Sequence, residues 1–394
     1  MDQSQTDGMQ AVNVLFDLRP LQGGFKAHKK RGIGVYARSL AARRLLAPGN
    51  LSISGFHDPC FESAEAEAAG SGALAIGPLT TFARVNFKEF FTQHLFMRKV
   101  IEKHARAAKA DILFFPTHLD VPMGLGAPYV VTAHDMIQSA LKERFYTSLK
   151  HRLHTAAQAA VLRGARLVIA VSEHTKWDVV KYAGVDPARI AVVHNGVDPV
   201  FRPGVMADLS RFKLPDRFIL NVGGIDWRKN VDLLLHAFGR LREKEPDVYL
   251  LMAGDIKGDP QYAKFTARLE SEKLDRAVIE LGYVAAEELA ALYGKAAAFF
   301  YPSVYEGFGL PVLEAMACGT PVVSTNLTSI PEVAGSAAIL LDPSAKEDFA
   351  EALIRLVRSQ DERGRLSQAG LSRAQQFGWD KCATETFNLI SRVV

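Results

Sequence analysis

Short apolar runs alternate with longer amphipathic stretches along almost the whole chain. Brief runs rich in β-branched and aromatic residues are typical of strands, and amphipathic stretches of ten or more residues are typical of helices. Strands that alternate with helices predict parallel sheets covered on both faces. The predicted strands are Val12–Leu18, Ile112–Pro116, Tyr129–Thr132, Leu167–Val171, Ile190–Val193, Phe218–Val222, Val248–Met252, Val278–Leu281, Ala298–Tyr301, Pro321–Ser324 and Ala338–Leu341.

A turn-like break at Phe201-Arg-Pro-Gly204 divides these strands into two series. The chain has 394 residues, which is more than one hydrophobic core ordinarily organises. We therefore predict an α/β protein with two doubly wound domains, residues 1–204 and 205–378. A last helix over 379–394 could belong to either domain, and we place it on the first. Because ligands bind beyond the carboxyl ends of parallel strands, two such domains facing each other would share a cleft.

Composition and charge narrow the class of protein. Residues 1–205 carry 25 Lys and Arg against 17 Asp and Glu, whereas residues 206–394 carry 22 against 26. The basic first half indicates either an anionic partner, such as a phosphorylated lipid or a membrane surface, or chance variation among solvated faces. The chain contains no basic run with interleaved aromatic residues, which disfavours nucleic acid as the anionic partner. The segment Phe82–Lys103 combines aromatic and basic residues, which indicates either a packed helix or a contact with a membrane.

The cysteines and the N-terminus predict a cytoplasmic protein. Cys60, Cys318 and Cys382 are widely separated and odd in number, which suits a reducing compartment and shows no metal-ligand spacing. Met1–Gln10 is polar and lacks a secretion signal, and no apolar run reaches the roughly 18 residues needed to span a bilayer. We expect residues 59–77, rich in Ala, Glu, Gly and Ser, to form an exposed loop.

The segment from Ser303 to Pro321 carries the most specific chemistry. Glu306 and Glu314 stand eight positions apart around Gly307-Phe308-Gly309, a turn that runs into a short apolar helix at Leu310. Backbone N–H groups at such a helix start can hold a phosphate. Carboxylates beside it can accept hydrogen bonds from sugar or ribose hydroxyls. The combination fits a nucleotide-sugar site.

Cations and a histidine follow other predicted strands. Gly223 and Gly224 end one strand and precede Arg228 and Lys229, a pattern that fits a diphosphate. His134-Asp135 directly follows another strand, where an imidazole could hydrogen-bond a sugar hydroxyl.

Four further features indicate function less specifically. Gly32-Ile-Gly34 indicates either a close approach to a ligand before a helix over Val35–Leu46 or a packing turn. The basic run from Lys26 to Arg31 beside it is either a solvated loop or a contact for an anionic acceptor. Ser172 is predicted to cap a helix, and Asn195-Gly196 predicts a turn before the domain break.

Over nearly its whole length the chain resembles the retaining glycosyltransferases of family four, also called glycosyl transferases group 1. The resemblance rests first on Glu306-x7-Glu314 with its Gly-Phe-Gly-Leu-Pro filling, Gly319-Thr-Pro321 and Pro331-Glu332-Val. Supporting pieces are Arg228-Lys229-Asn230, Asn195-Gly-Val-Asp198, His134-Asp135, Gly32-Ile-Gly34 and Gly282-Tyr283-Val284 with Leu289. It implies the GT-B fold, a first domain that binds the acceptor, a second domain that binds the nucleotide sugar, and no cofactor or metal.

The resemblance also implies residue roles. Glu306 would bind the donor sugar near the reacting centre, Glu314 the ribose hydroxyls, and Arg228 and Lys229 the diphosphate. His134 would contact the sugar, and the backbone of Gly307, Phe308, Gly309 and Leu310 would contact the sugar or phosphate. The diphosphate would lie near Gly223, and the loop with Gly32 and Gly34 would border the acceptor and the diphosphate. The base would be contacted by Tyr283, Val284 and Leu289. Many family members carry arginine where this chain has Gly224, which leaves the phosphate contacts of Arg228 open.

The donor and acceptor are less specifically indicated. Asp17-Leu-Arg19-Pro20 with Gly-Ile-Gly-Val-Tyr resembles bacterial mannosyltransferases of surface-polysaccharide and lipopolysaccharide assembly, which favours GDP-mannose over UDP-sugars and deoxysugar nucleotides. The implied acceptor is a glycan, free or polyprenyl-linked, at the inner face of the plasma membrane. A sugar-nucleotide 2-epimerase of similar fold and a non-catalytic nucleotide-sugar-binding subunit remain alternatives, and the short chain disfavours a glycogen-synthase-like activity.

Overall fold

The computed structural model describes residues 11–23, 32–58, 61, 76–78, 92–146 and 148–394. The chain divides into two compact units. Unit 1 comprises the residues up to Gly196 together with Trp379–Val394, and unit 2 comprises Val197–Gly378. Several predicted features lie outside the described residues: the N-terminal segment Met1–Gln10, the basic run Lys26–Arg31, Cys60, most of the loop over residues 59–77 and the first part of Phe82–Lys103.

Unit 1 is built on a parallel sheet of seven strands in the order β3-β2-β1-β4-β5-β6-β7. The strands are β1 Val12–Asp17, β2 Leu51–His57, β3 Ile76–Pro78, β4 Ile112–Phe115, β5 Tyr129–Ala133, β6 Leu167–Ala170 and β7 Ile190–Val192. The sequence pattern did not predict β2, in which serines alternate with apolar residues. The loop predicted over 59–77 is wrong at its end, because Ile76–Pro78 pairs with residues 55–57 as a short edge strand.

Helices cover both faces of this sheet. They are α1 Gly32–Ala42, α2 Met97–Ala107, α3 Ile137–Ala140, α4 Lys142–Phe145, α5 Leu149–Gly164 and α6 Glu173–Asp178, joined by the C-terminal helix Trp379–Arg392. Successive side chains of a strand point to opposite faces. Val14 and Phe16 therefore pack in the cluster that holds α1 and the C-terminal helix, whereas Leu15 packs in the cluster that holds α2 and α5.

Unit 2 repeats the architecture with six parallel strands in the order β10-β9-β8-β11-β12-β13. The strands are β8 Phe218–Val222, β9 Tyr249–Ala253, β10 Val278–Gly282, β11 Ala298–Tyr301, β12 Val322–Thr325 and β13 Ile339–Leu341. The helices are α7 Val231–Lys244, α8 Tyr262–Ser271, α9 Ala286–Lys295, α10 Leu310–Ala317, α11 Ile330–Ala334, α12 Lys346–Arg358 and α13 Gln360–Ala374. The prediction of two doubly wound α/β sheets is confirmed.

Two local predictions near the connections are wrong. Helix α1 begins at Gly32 and ends at Ala42, so Gly32 and Gly34 form its first turn and not a loop. The turn predicted at Asn195-Gly196 falls two residues later, because the Asp198 carboxylate accepts from the Val200 N–H and its carbonyl accepts from the Phe201 N–H. Asn195 is buried and lies outside any strand, helix or turn. Ser172 caps α6 as predicted, accepting from the Thr175 N–H at 3.0 Å.

Candidate functional site

The strand order of unit 2 marks where a ligand should bind. Strand β8 lies between β9 and β11, so the chain leaves it toward one side and later returns on the other. In open parallel sheets such a switch point leaves a crevice outside the carboxyl ends of the two strands. Here β8 ends at Val222 and β11 ends at Tyr301. The loops that follow these two strands carry Lys229 and Glu306.

The structure brings Glu306 and Lys229 together. Lys229 Nζ lies 2.8 Å from Glu306 Oε1, and the two side chains are only 17% and 18% exposed. The Tyr301 hydroxyl accepts from Lys229 at 2.6 Å and donates to Glu306 Oε1 at 2.7 Å. The Ser303 hydroxyl donates to the same oxygen at 2.6 Å. Three donors therefore converge on one carboxylate oxygen.

These donors keep Glu306 ionised. Burial alone would raise its pKa, but the Lys229 charge and the hydrogen bonds from Lys229, Ser303 and Tyr301 outweigh it and lower the pKa of Glu306. Burial and the adjacent carboxylate raise the pKa of Tyr301 well above its usual value, so its phenol stays a donor. Among the described residues, no donor reaches Glu306 Oε2, which remains the acceptor oxygen available to a ligand.

Four hydroxyl side chains fix this arrangement, and the sequence analysis did not single them out. Thr328 Oγ1 accepts from the Glu306 N–H at 3.1 Å, and Ser329 Oγ donates to the Glu306 carbonyl at 2.9 Å. Ser303 is held through its carbonyl, which accepts from Thr325 Oγ1 at 2.5 Å. Ser303 could have been found from the sequence, because it follows the predicted strand that ends at Tyr301 and precedes Glu306 by three residues. Thr328 and Ser329 gave no such signal.

A close backbone contact shapes the floor under Lys229. Gly223 has φ +131°, and a Cβ there would come within 3.2 Å of Lys229 Cε. Gly254 has φ +145°, and a Cβ there would come within 2.3 Å of the Gly223 carbonyl oxygen. Both residues have a positive φ, which glycine adopts readily and residues with a Cβ rarely adopt. The Lys229 side chain therefore packs directly on the backbone of Gly223, which has no side chain to displace it.

We expect Gly223→Ala to displace Lys229 and lower activity. The added methyl group would push the aliphatic end of Lys229 by a few tenths of an ångström. Since misplacing a reacting group by about 1 Å can cost about 100-fold in rate, we expect a loss of up to about ten-fold. The strained φ should also cost about 1–3 kcal/mol of stability. Steady-state kinetics and thermal melting would measure both effects. Gly294→Ala is the matched control, since a Cβ there meets nothing within 4 Å, and parental activity in the Gly223 variant would contradict the argument.

Arg228 is oriented by a carboxylate of its own turn. Its Nε and Nη2 donate to Asp226 Oδ1 and Oδ2 at 2.6 and 3.1 Å. Burial opposes ionisation of Asp226, but the Arg228 hydrogen bonds and charge lower the pKa of that carboxyl. The Arg228 carbonyl accepts from the Val304 N–H at 2.8 Å, which ties this turn to the loop of Glu306. The Nε and Nη2 groups of Arg228 are therefore both bonded to Asp226. The contact of Arg228 with a diphosphate stays a prediction.

The Gly307-Phe308-Gly309 turn has the predicted form. Gly309 has φ +96°, and helix α10 begins at the next residue, Leu310, with Pro311 in its first turn. A Cβ at Gly309 would come within 2.8 Å of Ile330 Cδ1, so the turn packs directly on α11. Phe308 is buried against Phe377 with ring centroids 5.9 Å apart. The turn therefore presents backbone, and its aromatic side chain serves packing.

Glu314 lies on α10 in a less polar environment than Glu306. Burial, followed by the Asp198 charge, raises the pKa of Glu314 to about 7, against a smaller lowering by a hydrogen bond from Tyr293. Burial likewise raises the pKa of Tyr293 well above its usual value. The two glutamates of the motif are thus electrically distinct: Glu306 is paired and ionised, and Glu314 is partly protonated near neutral pH.

The predicted base-binding residues follow β10. Tyr283 comes directly after that strand and has an exposed side chain, and its carbonyl accepts from Arg211 Nη2 at 3.2 Å. Val284 and Leu289 are half-buried, Leu289 in the first turns of α9. These residues lie at the same edge of the sheet as the glutamates, two strands from β8. Their contact with a base stays a prediction.

His134 follows β5 in unit 1, as predicted, and is held on two sides. Its Nε2 lies 2.8 Å from the Pro116 carbonyl oxygen, an acceptor, so this nitrogen carries the proton in the neutral ring. Tyr36 of α1 packs edge-on to the imidazole with centroids 4.9 Å apart. Its hydroxyl lies 3.0 Å from Thr132 Oγ1. Gly34 is buried in that same helix, whose first residue is Gly32.

The Asp17–Arg19 pair has a structural role in unit 1. Both side chains are buried, and Arg19 Nε and Nη2 donate to Asp17 at 2.8 and 2.7 Å. Arg19 Nη2 also donates to the Asp120 carbonyl at 3.2 Å. The pair thus joins the ends of β1 and the segment after β4, at the switch point of this sheet.

The chain matches two family models that together cover most of it. Residues 32–201 match "Glycosyltransferase Family 4" and residues 208–373 match "Glycosyl transferases group 1". The fold of two doubly wound units is that of GT-B proteins. HepE of Anabaena, whose structure was solved with UDP and glucose, superposes with a TM-score of 0.70 over 97% of this chain and 100% of that chain, at 20% identity. The chain belongs to the group 1 glycosyltransferases.

Two curated relatives from Escherichia coli share part of the sequence. O-antigen chain mannosyltransferase B is 33% identical over 234 residues, which are 58% of this chain and 61% of that protein. The serotype-specific mannosyltransferase WbdA is 29% identical over 262 residues, 64% of this chain and 32% of that protein. The matched region thus spans about three fifths of the first relative and about a third of the second.

Proposed function

We propose that this protein is a retaining hexosyltransferase that moves a sugar, best assigned as mannose from GDP-mannose, to a glycan acceptor in bacterial surface-polysaccharide synthesis. The observation that carries the proposal is the Lys229–Tyr301–Glu306 network at the switch point of unit 2. It sets a cation and a carboxylate side by side where a parallel sheet receives its ligand. A diphosphate sugar needs that pair of charges.

The two charges act at opposite ends of the bond that breaks. As the anomeric C–O bond lengthens, its electron pair moves onto the diphosphate, and the anomeric carbon becomes electron-poor. Lys229, with Arg228, stabilises the growing negative charge, and Glu306 Oε2 faces the electron-poor sugar. The acceptor hydroxyl attacks from the face that the diphosphate leaves, and its proton passes to the departing phosphate oxygen. This route retains configuration and requires neither a metal nor a separate base from the protein.

Mannose is the proposed sugar because the two Escherichia coli relatives described above are named mannosyltransferases. HepE, solved with UDP and glucose, supports UDP-glucose as the second candidate. Thermal-shift titration with GDP-mannose, UDP-glucose and a dTDP-deoxysugar would distinguish them. We expect the largest stabilisation from GDP-mannose, lost in Glu314→Gln. Stabilisation by UDP-glucose alone would reassign the donor, and stabilisation by none would end the transferase proposal.

An assay of sugar transfer would distinguish a transferase from a 2-epimerase and from a non-catalytic binding subunit. Incubation with the nucleotide sugar alone should leave the sugar's C2 configuration unchanged, whereas a 2-epimerase would convert it. Addition of a mannose-terminated glycan should release one nucleoside diphosphate for each sugar transferred. A protein that binds the donor and releases none would be the non-catalytic subunit.

Donor affinity should rise with pH through neutrality. If Glu314 accepts from both ribose hydroxyls, it must be ionised, and its pKa is raised to about 7. Binding should therefore strengthen about ten-fold per pH unit below 7 and level off above it. Calorimetric titration of GDP between pH 6 and pH 8.5 would measure this, with the flat profile expected for Glu314→Gln as the control. A parental profile without slope would show that Glu314 does not bind the ribose.

The acceptor is proposed to be lipid-linked and to be reached at the cytoplasmic face of the membrane. The excess of cations in residues 1–205 supports an anionic surface for unit 1. In the part of the chain that the structure describes, no helix is both long enough and apolar enough to cross a bilayer. Contact with the membrane would then be peripheral.

A further inference from the structure

Two leucines project into solvent where helix α5 begins. Leu149 is 70% exposed and Leu153 is 49% exposed. They stand four positions apart on one helix, so they form a continuous apolar strip one turn long. A single exposed leucine is ordinary on a protein surface. This pair is notable because of the charges around it.

Three cations close to the strip in sequence have no carboxylate partner among the described residues. Lys142 of α4 and Lys150 and Arg152 of α5 are exposed, and none forms an ion pair with any described residue. Glu143 is the one acidic residue between positions 142 and 153. In unit 2, six surface arginines are paired with carboxylates: Arg211, Arg217, Arg240, Arg268, Arg355 and Arg358. The charge around Leu149 and Leu153 is therefore uncompensated.

The position of these cations is unfavourable for the helix itself. The first turn of α5 contains no acidic residue, although the positive end of the helix dipole lies there and favours carboxylates. Lys150 and Arg152 add charge of the same sign. An anionic partner would relieve both the helix end and the unpaired side chains.

A neighbouring helix adds an aromatic residue of the same character. Trp177 of α6 is 57% exposed, with Lys176 Nζ 6.0 Å from its ring centre. The segment that continues α6 packs beside α5, since Arg163 Nη1 donates to the Ala183 carbonyl at 2.8 Å. Tryptophan with lysine is characteristic of protein surfaces that sit at the level of lipid headgroups.

We propose a docking face for the surface of an anionic phospholipid bilayer, made of Lys142, Leu149, Lys150, Arg152, Leu153 and Trp177. The leucines and the tryptophan enter the headgroup–acyl boundary, and the cations contact phosphate groups. A water-soluble glycan offers no apolar layer for the leucines, whereas a bilayer offers both chemistries over a wide area. The assignment rests on the proposed lipid-linked acceptor for its purpose, but binding can be measured without any transfer reaction.

Vesicle flotation with the full chain tests the face. Phosphatidylcholine vesicles are compared with vesicles that also contain phosphatidylglycerol, at low and at physiological salt. The parent should float with the anionic vesicles and dissociate as salt rises. Lys150→Glu with Arg152→Glu should lower the partition coefficient by at least about 30-fold, since losing each cation costs about five-fold near an anionic surface and each new carboxylate is repelled by it. Leu149→Ser with Leu153→Ser should lower it about ten-fold through lost apolar contact.

Matched variants in unit 2 control for charge and hydrophobicity in general. Lys264→Glu with Lys346→Glu changes the net charge equally at exposed helix positions, and Met206→Ser removes an exposed apolar side chain. Both should float like the parent, and all variants should melt and bind GDP like the parent. Equal flotation of parent and docking-face variants would overturn the proposal. So would flotation only when a polyprenyl diphosphate is added, which would assign the face to the acceptor. Loss of transfer with unchanged flotation would instead fault the proposed function.

Discussion

Changing Glu306 to glutamine should lower the turnover number about 100- to 1000-fold, the usual effect of removing one preorganised charge from a transition state. The substitution keeps the size of the side chain and an acceptor oxygen for Lys229, Tyr301 and Ser303. In the proposed reaction it removes the negative charge that faces the electron-poor sugar. Because that charge matters most as the bond breaks, the Michaelis constant for the donor should change little.

Glu314→Gln provides the matched comparison for Glu306→Gln. Both substitutions neutralise a glutamate of the same motif, but Glu314 lies on α10 away from the Lys229 network. We expect it to raise the Michaelis constant for the donor with a much smaller effect on turnover. Steady-state kinetics with saturating acceptor would distinguish the two patterns. If both variants changed only the Michaelis constant, the assignment of Glu306 to the reacting centre would be wrong.

Lys229→Met should lower kcat/KM by a similar factor, and it should also destabilise the folded protein. The lysine neutralises the leaving diphosphate in the proposed reaction and the Glu306 carboxylate in the free protein. Removing one partner of a poorly exposed ion pair leaves the other charge uncompensated, at a cost of about 1–3 kcal/mol for a site with this much exposure. Lys264→Met, at an exposed and unpaired position in unit 2, should have neither effect.

The stability loss in Lys229→Met should depend on pH. The pKa of Glu306 is lowered in the folded protein, so its carboxylate stabilises the fold above its unfolded pKa of about 4.3. That contribution disappears as the pH falls through the lowered folded pKa. The melting temperatures of parent and variant should therefore differ most near neutral pH and converge toward acid pH. A constant difference would mean that packing, and not the charge pair, causes the loss.

Removing both partners tests whether they act as one unit. The double variant Lys229→Met with Glu306→Gln should be less impaired than the product of the two single effects, since neutral glutamine no longer requires the lysine charge. Independent roles would instead give multiplied losses. The same double variant should regain part of the stability lost in Lys229→Met.

The sequence predicted the sheets well because buried parallel strands are nearly continuous apolar runs. β8 and β11 have the predicted bounds. It missed β2, whose serines interrupt the pattern, and β3, whose three residues depend on pairing with β2. The edge strand β3 is thus specified by its pairing with β2, about 20 residues earlier in the chain, and not by its own three residues.

The charged residues of the site were predictable, but their mutual arrangement was not. Glu306 and Lys229 stand out in the sequence because each follows a predicted strand beside glycines. Their contact depends on β8 and β11 being neighbours, which strand order alone determines. Thr328 and Ser329 act through the backbone of Glu306, and hydroxyl residues in a loop carry no pattern that announces such bonds. The raised pKa of Glu314 also required burial and the approach of Asp198 to be known.

The touching glycines beneath Lys229 limit which sequences can diversify around this site. In a library selected for activity, positions 223 and 254 should return glycine almost alone, because a Cβ at either one meets Lys229 or the opposing backbone. Position 224 should be permissive, since a Cβ there meets nothing closer than 3.7 Å. Recovery of arginine at that position would show that the pattern common among family members remains open to this chain by a single replacement.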